Sequence, residues 1–356
     1  MRHRRGLVVG KLAPLHRGHE LVIGRALAEC DEVVVLSWAR PEPPGCEAHR
    51  RACWLRALFP SVRAVVVTDE LLAARAGGEL VGWRVPPDDG PAEVQRRFTG
   101  LLCRDLLGVE VDAVYSSETY GEGLAATLTA FFAGEKGDTA RAPVRHVAVD
   151  PARAAVPISG RAIRADVHGH RRWLSPAVYG SFVERVAILG GESSGKTTLA
   201  AALAARLGTS WVAEYGRERW EECAGELVYD DLETIAERQV EREEVALLSS
   251  YRRLVCDTTP LTTLYYSLDL FGRASERLVE LAERRYDHVV LCAPDFHFVQ
   301  DGTRRDDDFR ARQHAWYEAE LARRGIGWVT ACGSLGERVE QIATALGCGP
   351  SAAARA

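Results

Sequence analysis

The stretch Val186-Ala187-Ile188-Leu189-Gly190-Gly191-Glu192-Ser193-Ser194-Gly195-Lys196-Thr197, followed by Thr198-Leu199-Ala200-Ala201-Ala202-Leu203-Ala204, decides how the second half of this 356-residue chain folds. An apolar strand-like run leads into GxxxxGK[ST], and a strongly helix-forming run follows it, which is the context a P-loop requires. Gly190, Gly191 and Gly195, with Glu192, Ser193 and Ser194 between them, form a loop whose backbone N–H groups can curl around phosphate oxygens. The helix opening at Lys196 adds its positive end. Lys196 is expected to reach the β and γ phosphates of ATP, the Thr197 hydroxyl to ligate Mg²⁺, and Thr198 to complete the cradle.

Outward from that loop, short β-rich runs alternate with longer helical patterns, the signature of parallel α/β architecture. Strands are predicted at Leu7-Val9, Val33-Leu36, Ala64-Val67, Ala113-Tyr115 and Val144-Val149. A second series follows at Val186-Leu189, Trp211-Ala213, Leu254-Cys256, Val289-Cys292 and Trp328-Thr330. The fold class is therefore α/β, with two doubly wound parallel-sheet domains. They are expected at residues 1–182 and 183–347, with a flexible Ala/Gly/Pro-rich tail at 348–356. No self-similarity links the halves, so they read as a fusion and not a repeat.

Composition bounds the rest. Hydrophobic residues make up 47% and charged residues 27%, the balance of a globular chain. A net charge of −5 gives no global basic field for nucleic acid. No 18-residue apolar run is present to cross a bilayer, and no signal-peptide core follows Arg2-His3-Arg4-Arg5. The nine cysteines lie singly without a CxxC pair, and are expected to be buried free thiols of a cytoplasmic protein. Homo-oligomer formation is compatible with this composition.

Two short motifs mark the first half. Gly10-Lys11-Leu12-Ala13-Pro14-Leu15-His16-Arg17-Gly18-His19 joins the first strand to a helix. His16 and His19, three apart at a helix N-terminus, can face one spot beside the free N–H groups of the first turn, and Gly18 lets phosphates approach the backbone. Imidazoles there can stabilise charge building on an attacked phosphorus. Far downstream, Ile158-Ser159-Gly160-Arg161-Ala162-Ile163-Arg164 sets Ser159 at a helix start and Arg164 a turn later, suited to grip β and γ phosphates from the other side. In the second half, Asp257 closes a predicted strand at the carboxyl edge, where doubly wound sheets place their chemistry. It can hold Mg²⁺ through water, orient a substrate hydroxyl, or merely cap a turn. The charged run from Asp301 to Arg312 reads as a lid whose arginines, Arg304 among them, close on the transferring phosphate.

The paired GKxxPxHxGH and ISxxxIR motifs resemble those of the nucleotidyltransferase superfamily. Their fusion to GGESSGKTT resembles the NadR-type proteins, which join nicotinamide mononucleotide adenylyltransferase to ribosylnicotinamide kinase. Ser116-Ser117-Glu118-Thr119-Tyr120-Gly121, Glu214-Tyr215-Gly216-Arg217 and Pro294-Asp295 through Arg304 are similar to further segments of that family, so the resemblance spans nearly the whole chain. It implies phosphorylation of nicotinamide riboside by Mg-ATP, then adenylyl transfer from ATP to the mononucleotide, giving NAD and pyrophosphate. It further implies ATP binding by Gly10, Lys11, His16, Gly18, His19, Ser159 and Arg164 in the first site. In the second, Glu214 and Asp257 share the base and metal-orienting roles. Tyr215 and Phe298 would stack on the nicotinamide ring, with Arg217 and Asp295 as further substrate contacts.

Three positions depart from the family pattern. Arg161 stands where a small hydroxyl residue is usual, Thr259 where a second carboxylate is, and His297-Phe298 where a Pro-Trp pair is. The same two folds acting on another nucleoside, or a nucleotide-sensing regulator with weak turnover, are the alternatives these departures leave open. HxGH begins at residue 16, which leaves no room ahead of it for the helix-turn-helix domain some members carry, so DNA binding is not expected.

Overall fold

In a computed structural model, ten apolar runs become ten strands among the described residues, all parallel, in two separate five-stranded sheets. The structure describes residues 2–133, 142–296 and 306–349. The chain divides into two units, Met1–Ser181 and Phe182–Ala356. In the first, β1 (His3–Val9), β2 (Cys30–Ser37), β3 (Arg63–Val66), β4 (Ala113–Ser116) and β5 (Arg145–Ala148) lie in the order β3-β2-β1-β4-β5. In the second, β6 (Glu184–Gly190), β7 (Trp211–Val212), β8 (Arg253–Asp257), β9 (His288–Cys292) and β10 (Val329–Ala331) lie in the order β10-β9-β6-β8-β7. This is the α/β class with two doubly wound parallel sheets that the alternating pattern predicts.

Each sheet reverses its winding beside its first strand, between β1 and β4 in one unit and beside β6 in the other. Such switch points open a crevice at the carboxyl ends of the strands. The strands beside the crevices are apolar on both faces because helices cover both. Leu7, Val34, Leu36 and Val114 of the first sheet pack with Phe98, Leu101 and Leu128 from helices Ala92–Leu101 and Tyr120–Ala133. In the second unit the two sheet faces support separate cores. Val186, Ile188 and Val290 meet Leu199, Leu203 and Ile342 on one side. Ala187, Leu189 and Leu291 meet Leu232, Leu264 and Tyr317 on the other.

The nine cysteines are free, but burial is not uniform: Cys30, Cys46, Cys103, Cys256 and Cys292 are buried, whereas Cys53 and Cys332 are exposed. Cys53 sits in helix Ala48–Leu58 and Cys332 just after β10, beyond the strand interiors that make Cys a core residue. Among the described residues, no helix is long and apolar enough to cross a membrane.

Candidate active sites

In the first unit a cavity of about 580 Å³ opens at the carboxyl ends of β1 and β4, lined by Gly10, Lys11, His16, Gly18, His19, Ser159 and Arg164 among others. His16 is the N-cap of helix Arg17–Glu29, and the two histidines cap it reciprocally. The His16 Nδ1 accepts from the Gly18 N–H at 3.1 Å, and the His19 Nδ1 accepts from the His16 N–H at 3.3 Å. With each Nδ1 serving as acceptor, the neutral rings carry their protons on Nε2. The rings stack with centroids 3.8 Å apart. Burial, aided by the Arg153 guanidinium, lowers the His16 pKa to about 4. Burial, His16 and Arg153 hold His19 well below its ordinary value. Two neutral imidazole donors therefore stand side by side at a helix start. Gly18 has a tighter reason than room for phosphate: a Cβ there would lie 2.9 Å from the His16 ring.

Buried polar anchors hold the surrounding loops. Arg51 is fully buried, donating to the carbonyls of Cys46 and Lys11 and to the Ser37 Oγ, and pairing with Glu42. Lys11 itself pairs with Asp88 at 2.8 Å. Ser159 caps helix Gly160–Ala165 by accepting from the Ala162 N–H at 3.2 Å, and Arg164 donates to the Ala13 carbonyl beside the histidines. Ser116 Oγ lies 2.9 Å from the His146 Nε2, and Tyr120 donates to the Val9 carbonyl at 2.6 Å. Arg153, with φ of 51°, lies within a turn in which the Asp150 carboxylate accepts from the N–H groups of Ala154, Ala155 and Val156, and it pairs with Glu118 at 3.2 Å.

In the second unit the P-loop forms at the end of β6. Gly190 at φ 146° and Gly195 at φ 80° occupy conformations that favour glycine. A Cβ on Gly190 would meet the Ser194 Oγ at 2.8 Å, and one on Gly191 would meet the Arg310 carbonyl at 2.8 Å. Gly195 is the N-cap of helix Lys196–Leu207. The Lys196 Nζ donates to the Gly191 carbonyl at 3.0 Å. Glu192 is held at both ends, its N–H donating to the Gln313 Oε1 at 2.9 Å and its carboxylate accepting from Tyr266 at 2.8 Å.

A cavity of about 710 Å³ adjoins the loop, lined by Glu192 to Thr198, Glu214, Arg217, Trp220, Gln239, Thr258, Thr262, Thr263 and Tyr266 among others. Asp257 closes β8 fully buried, and neither carboxylate oxygen has a hydrogen-bond partner at bonding geometry. Burial raises its pKa, opposed by the Thr197 hydroxyl, Lys196 and Arg217. Glu214 is also raised, first by burial and then by Asp257 and Glu192, against Lys196 and Arg217. Among the described residues no three or more His, Cys, Asp or Glu side chains form a metal-binding group. A buried carboxylate with both oxygens unsatisfied, next to a P-loop threonine, nonetheless fits a divalent cation that takes its other ligands from phosphates and water.

Two expected substrate contacts, Tyr215 and Asp295, are not among the residues that line this cavity. Tyr215 opens helix Tyr215–Glu222 away from the cavity, its ring covered by the Arg242 guanidinium at 4.5 Å. The aromatic rings on the cavity wall are those of Trp220 and Tyr266. Asp295 is a brace: it pairs with buried Arg338 and accepts from the Gly333 N–H at 2.6 Å. Arg338 in turn donates to the Ser194 carbonyl of the P-loop at 2.8 Å. Phe298 and Arg304 lie outside the described residues. Of the charged run, Arg310 is buried, donating to the Phe296 carbonyl at 2.8 Å behind Gly191. Thr259 caps helix Pro260–Phe271 through the Leu261 N–H. Arg96, Arg153, Trp38 and Trp220 line the cavities without having been singled out in the sequence.

A family model described as an AAA domain matches residues 185–338. The trifunctional NAD biosynthesis/regulator protein NadR of Escherichia coli (strain K12) is 28% identical over 325 residues, covering 84% of this chain and 71% of its own. Its counterpart in Salmonella typhimurium is 27% identical over 323 residues, with the same coverage. A crystal structure of NadR protein in complex with NR superposes with a TM-score of 0.65 at 20% identity, covering 99% of this chain and 98% of that one. Another, of NadR protein with NAD and AMP-PNP, gives 0.63 at 18% identity over 98% of both chains.

Proposed function

Starting from a chain homologous to NadR along most of its length, we propose that it makes NAD in two steps, phosphorylating nicotinamide riboside and then adenylylating the mononucleotide. The observation that carries this reading is a pair of cavities at the carboxyl edges of two separate sheets, one lined by His16 and His19 and the other by the Glu192 to Thr198 loop.

In the second unit, the riboside's 5′-hydroxyl oxygen attacks the γ-phosphorus of ATP, the bond to ADP breaks, and the hydroxyl proton leaves to a carboxylate. Glu214 suits that role, because it lines the cavity and burial raises its pKa above the ordinary carboxylate value. Asp257 and Thr197 would hold Mg²⁺, which when bound supplies positive charge to the phosphate oxygens. Lys196 and the loop N–H groups steady the β and γ phosphates. Trp220 and Tyr266 offer faces for the cationic nicotinamide ring.

In the first unit, a phosphate oxygen of the mononucleotide attacks the α-phosphorus of ATP and the bond to pyrophosphate breaks. Neutral His16 and His19 donate from Nε2 as charge builds, while Ser159, Arg164 and Lys11 hold the departing phosphates. No covalent enzyme intermediate is needed.

The test is a crossed pair of variants assayed with ATP, Mg²⁺ and a panel of ribosides and mononucleotides. His19→Ala should lower adenylyl transfer by ~10²-fold or more and spare riboside phosphorylation. Lys196→Ala should do the reverse. Equal loss of both activities in either variant would refute the two-site reading, and preference for another riboside would refute the substrate.

A further inference from the structure

Arg96 lies on helix Ala92–Leu101 and lines the first cavity with Trp38, Gln95, Thr99 and Tyr120. Most arginines among the described residues are committed to carboxylates or carbonyls, including Arg51 and Arg164. Arg96 is not. Its Nε is buried without a hydrogen-bond partner, and no carboxylate of the described residues pairs with its guanidinium. A cation half-removed from water and left without an anion is costly unless something else supplies the charge.

The helix opposite is cut to fit it. Gly123 stands inside helix Tyr120–Ala133, where a glycine costs about 1 kcal/mol relative to alanine. Its backbone conformation does not call for glycine, since its φ is not positive. A Cβ at this position would lie 2.3 Å from Arg96 Nη2 and 2.4 Å from its Cζ. The missing side chain leaves the space that the guanidinium occupies beside this helix. Next to it, Trp38 is fixed by donation from its Nε1 to the Gln95 Oε1 at 3.2 Å, and Tyr120 by donation to the Val9 carbonyl. This part of the wall therefore sets fixed aromatic side chains beside a cation that has no anionic partner among the described residues.

We propose that Arg96 is a substrate-binding residue of the adenylyltransferase site, holding the phosphate of the acceptor mononucleotide, with Gly123 as its seat. This deepens the reading above and rests on it for the identity of the acceptor. Arg96 takes the dianionic phosphomonoester through a charge-assisted pair of hydrogen bonds and leaves one oxygen free to attack the α-phosphorus. Arg96 thus orients the nucleophile, while the histidines, which line the same cavity, act on ATP.

Steady-state adenylyl transfer with nicotinamide and nicotinate mononucleotides tests it on the full chain. Arg96→Ala should raise KM for both mononucleotides about ten- to hundredfold, with KM for ATP unchanged. Arg96→Lys should recover part of the loss. Gly123→Ala separates binding from structure: it should leave thermal stability equal or higher and still raise the mononucleotide KM, by pushing the guanidinium aside. An effect on the nicotinate compound alone would mean that Arg96 reads a ring carboxylate, and the phosphate assignment falls. Unchanged KM in Arg96→Ala, or a Gly123→Ala chain with wild-type kinetics, overturns the proposal outright. If the wild type transfers no adenylyl group, the reading of function fails. Calorimetry with nicotinamide mononucleotide on wild type and Arg96→Ala then decides Arg96 alone, since any binding in the other unit is common to both. Equal isotherms overturn it, and weakened binding in the variant sustains it.

Discussion

Acidification should unlock the first unit through His16, and the size of the effect follows from its burial. The ring is driven from its ordinary value of 6.5 to about 4, a shift that stores about 3 kcal/mol in favour of the neutral form. The unfolded chain binds this proton more readily than the folded one throughout the interval between those two values. The contribution is therefore fully present above the unfolded value and is lost as pH falls toward the folded one. Between about pH 7.5 and about pH 5 the loss from His16 alone is about 2 kcal/mol, and His19 adds to it in the same direction. Carboxylates titrate in the same range, so the measurement needs a reference that keeps the cap and loses the titration. His16→Asn provides it, because asparagine is a good N-cap and can accept the Gly18 N–H in the histidine's place. Urea unfolding of wild type and His16→Asn across this range should show the wild type losing about 2 kcal/mol more. Proton–carbon NMR of the folded protein should find the His16 ring still neutral at about pH 6. Parallel pH profiles, or a His16 ring titrating near its ordinary value, would refute the reasoning.

Two further outcomes follow from the second unit. Asp257→Asn removes a buried carboxylate that has no hydrogen-bond partner, so the melting temperature should hold or rise while riboside phosphorylation is lost; calorimetry and a coupled ADP assay check the two halves. Arg338→Ala strips a buried cation from Asp295, Ser194 and Ala293 and should destabilise by about 3–5 kcal/mol in chemical denaturation, with Arg338→Met milder because it leaves no cavity.

The strands and the two phosphate motifs are readable in the sequence because their signals are local. Val186 to Leu189 is apolar throughout and ends in glycine, and a buried parallel strand needs nothing more to declare itself. The same holds for His16 and His19, whose spacing fixes that they share a helix start. What escaped depends on which partner a side chain meets across the fold. Tyr215 and Trp220 are both aromatic residues in one short helix, and only Arg242 from the next helix decides that the first is covered while the second faces the cavity. Asp295 carries the same carboxylate whether it binds a substrate or Arg338, far along the chain. Thr259 reads as a missing carboxylate until the helix it caps is seen. Gly123 gives no hint, since nothing in its own neighbourhood explains a glycine within a helix; the reason lies on another helix at Arg96.

The position of β6 at the centre of its sheet sets the order in which this half of the chain can be made. Its neighbours are β8 and β9, paired through Glu184 with Arg253 and through Val186 with His288. The next strand in the chain, β7, pairs with β8 instead. During synthesis the apolar Val186–Leu189 segment therefore leaves the ribosome long before either of its partners exists. Closing those distant pairings carries the loop-closure cost that slows parallel sheets, and it leaves an adhesive strand waiting. Translation stalled just before residue 253 should yield an aggregation-prone nascent chain, one that becomes protease-resistant only after β9 has emerged. The phosphate cradle, built on the end of this strand, is thus among the last parts of the unit to take shape.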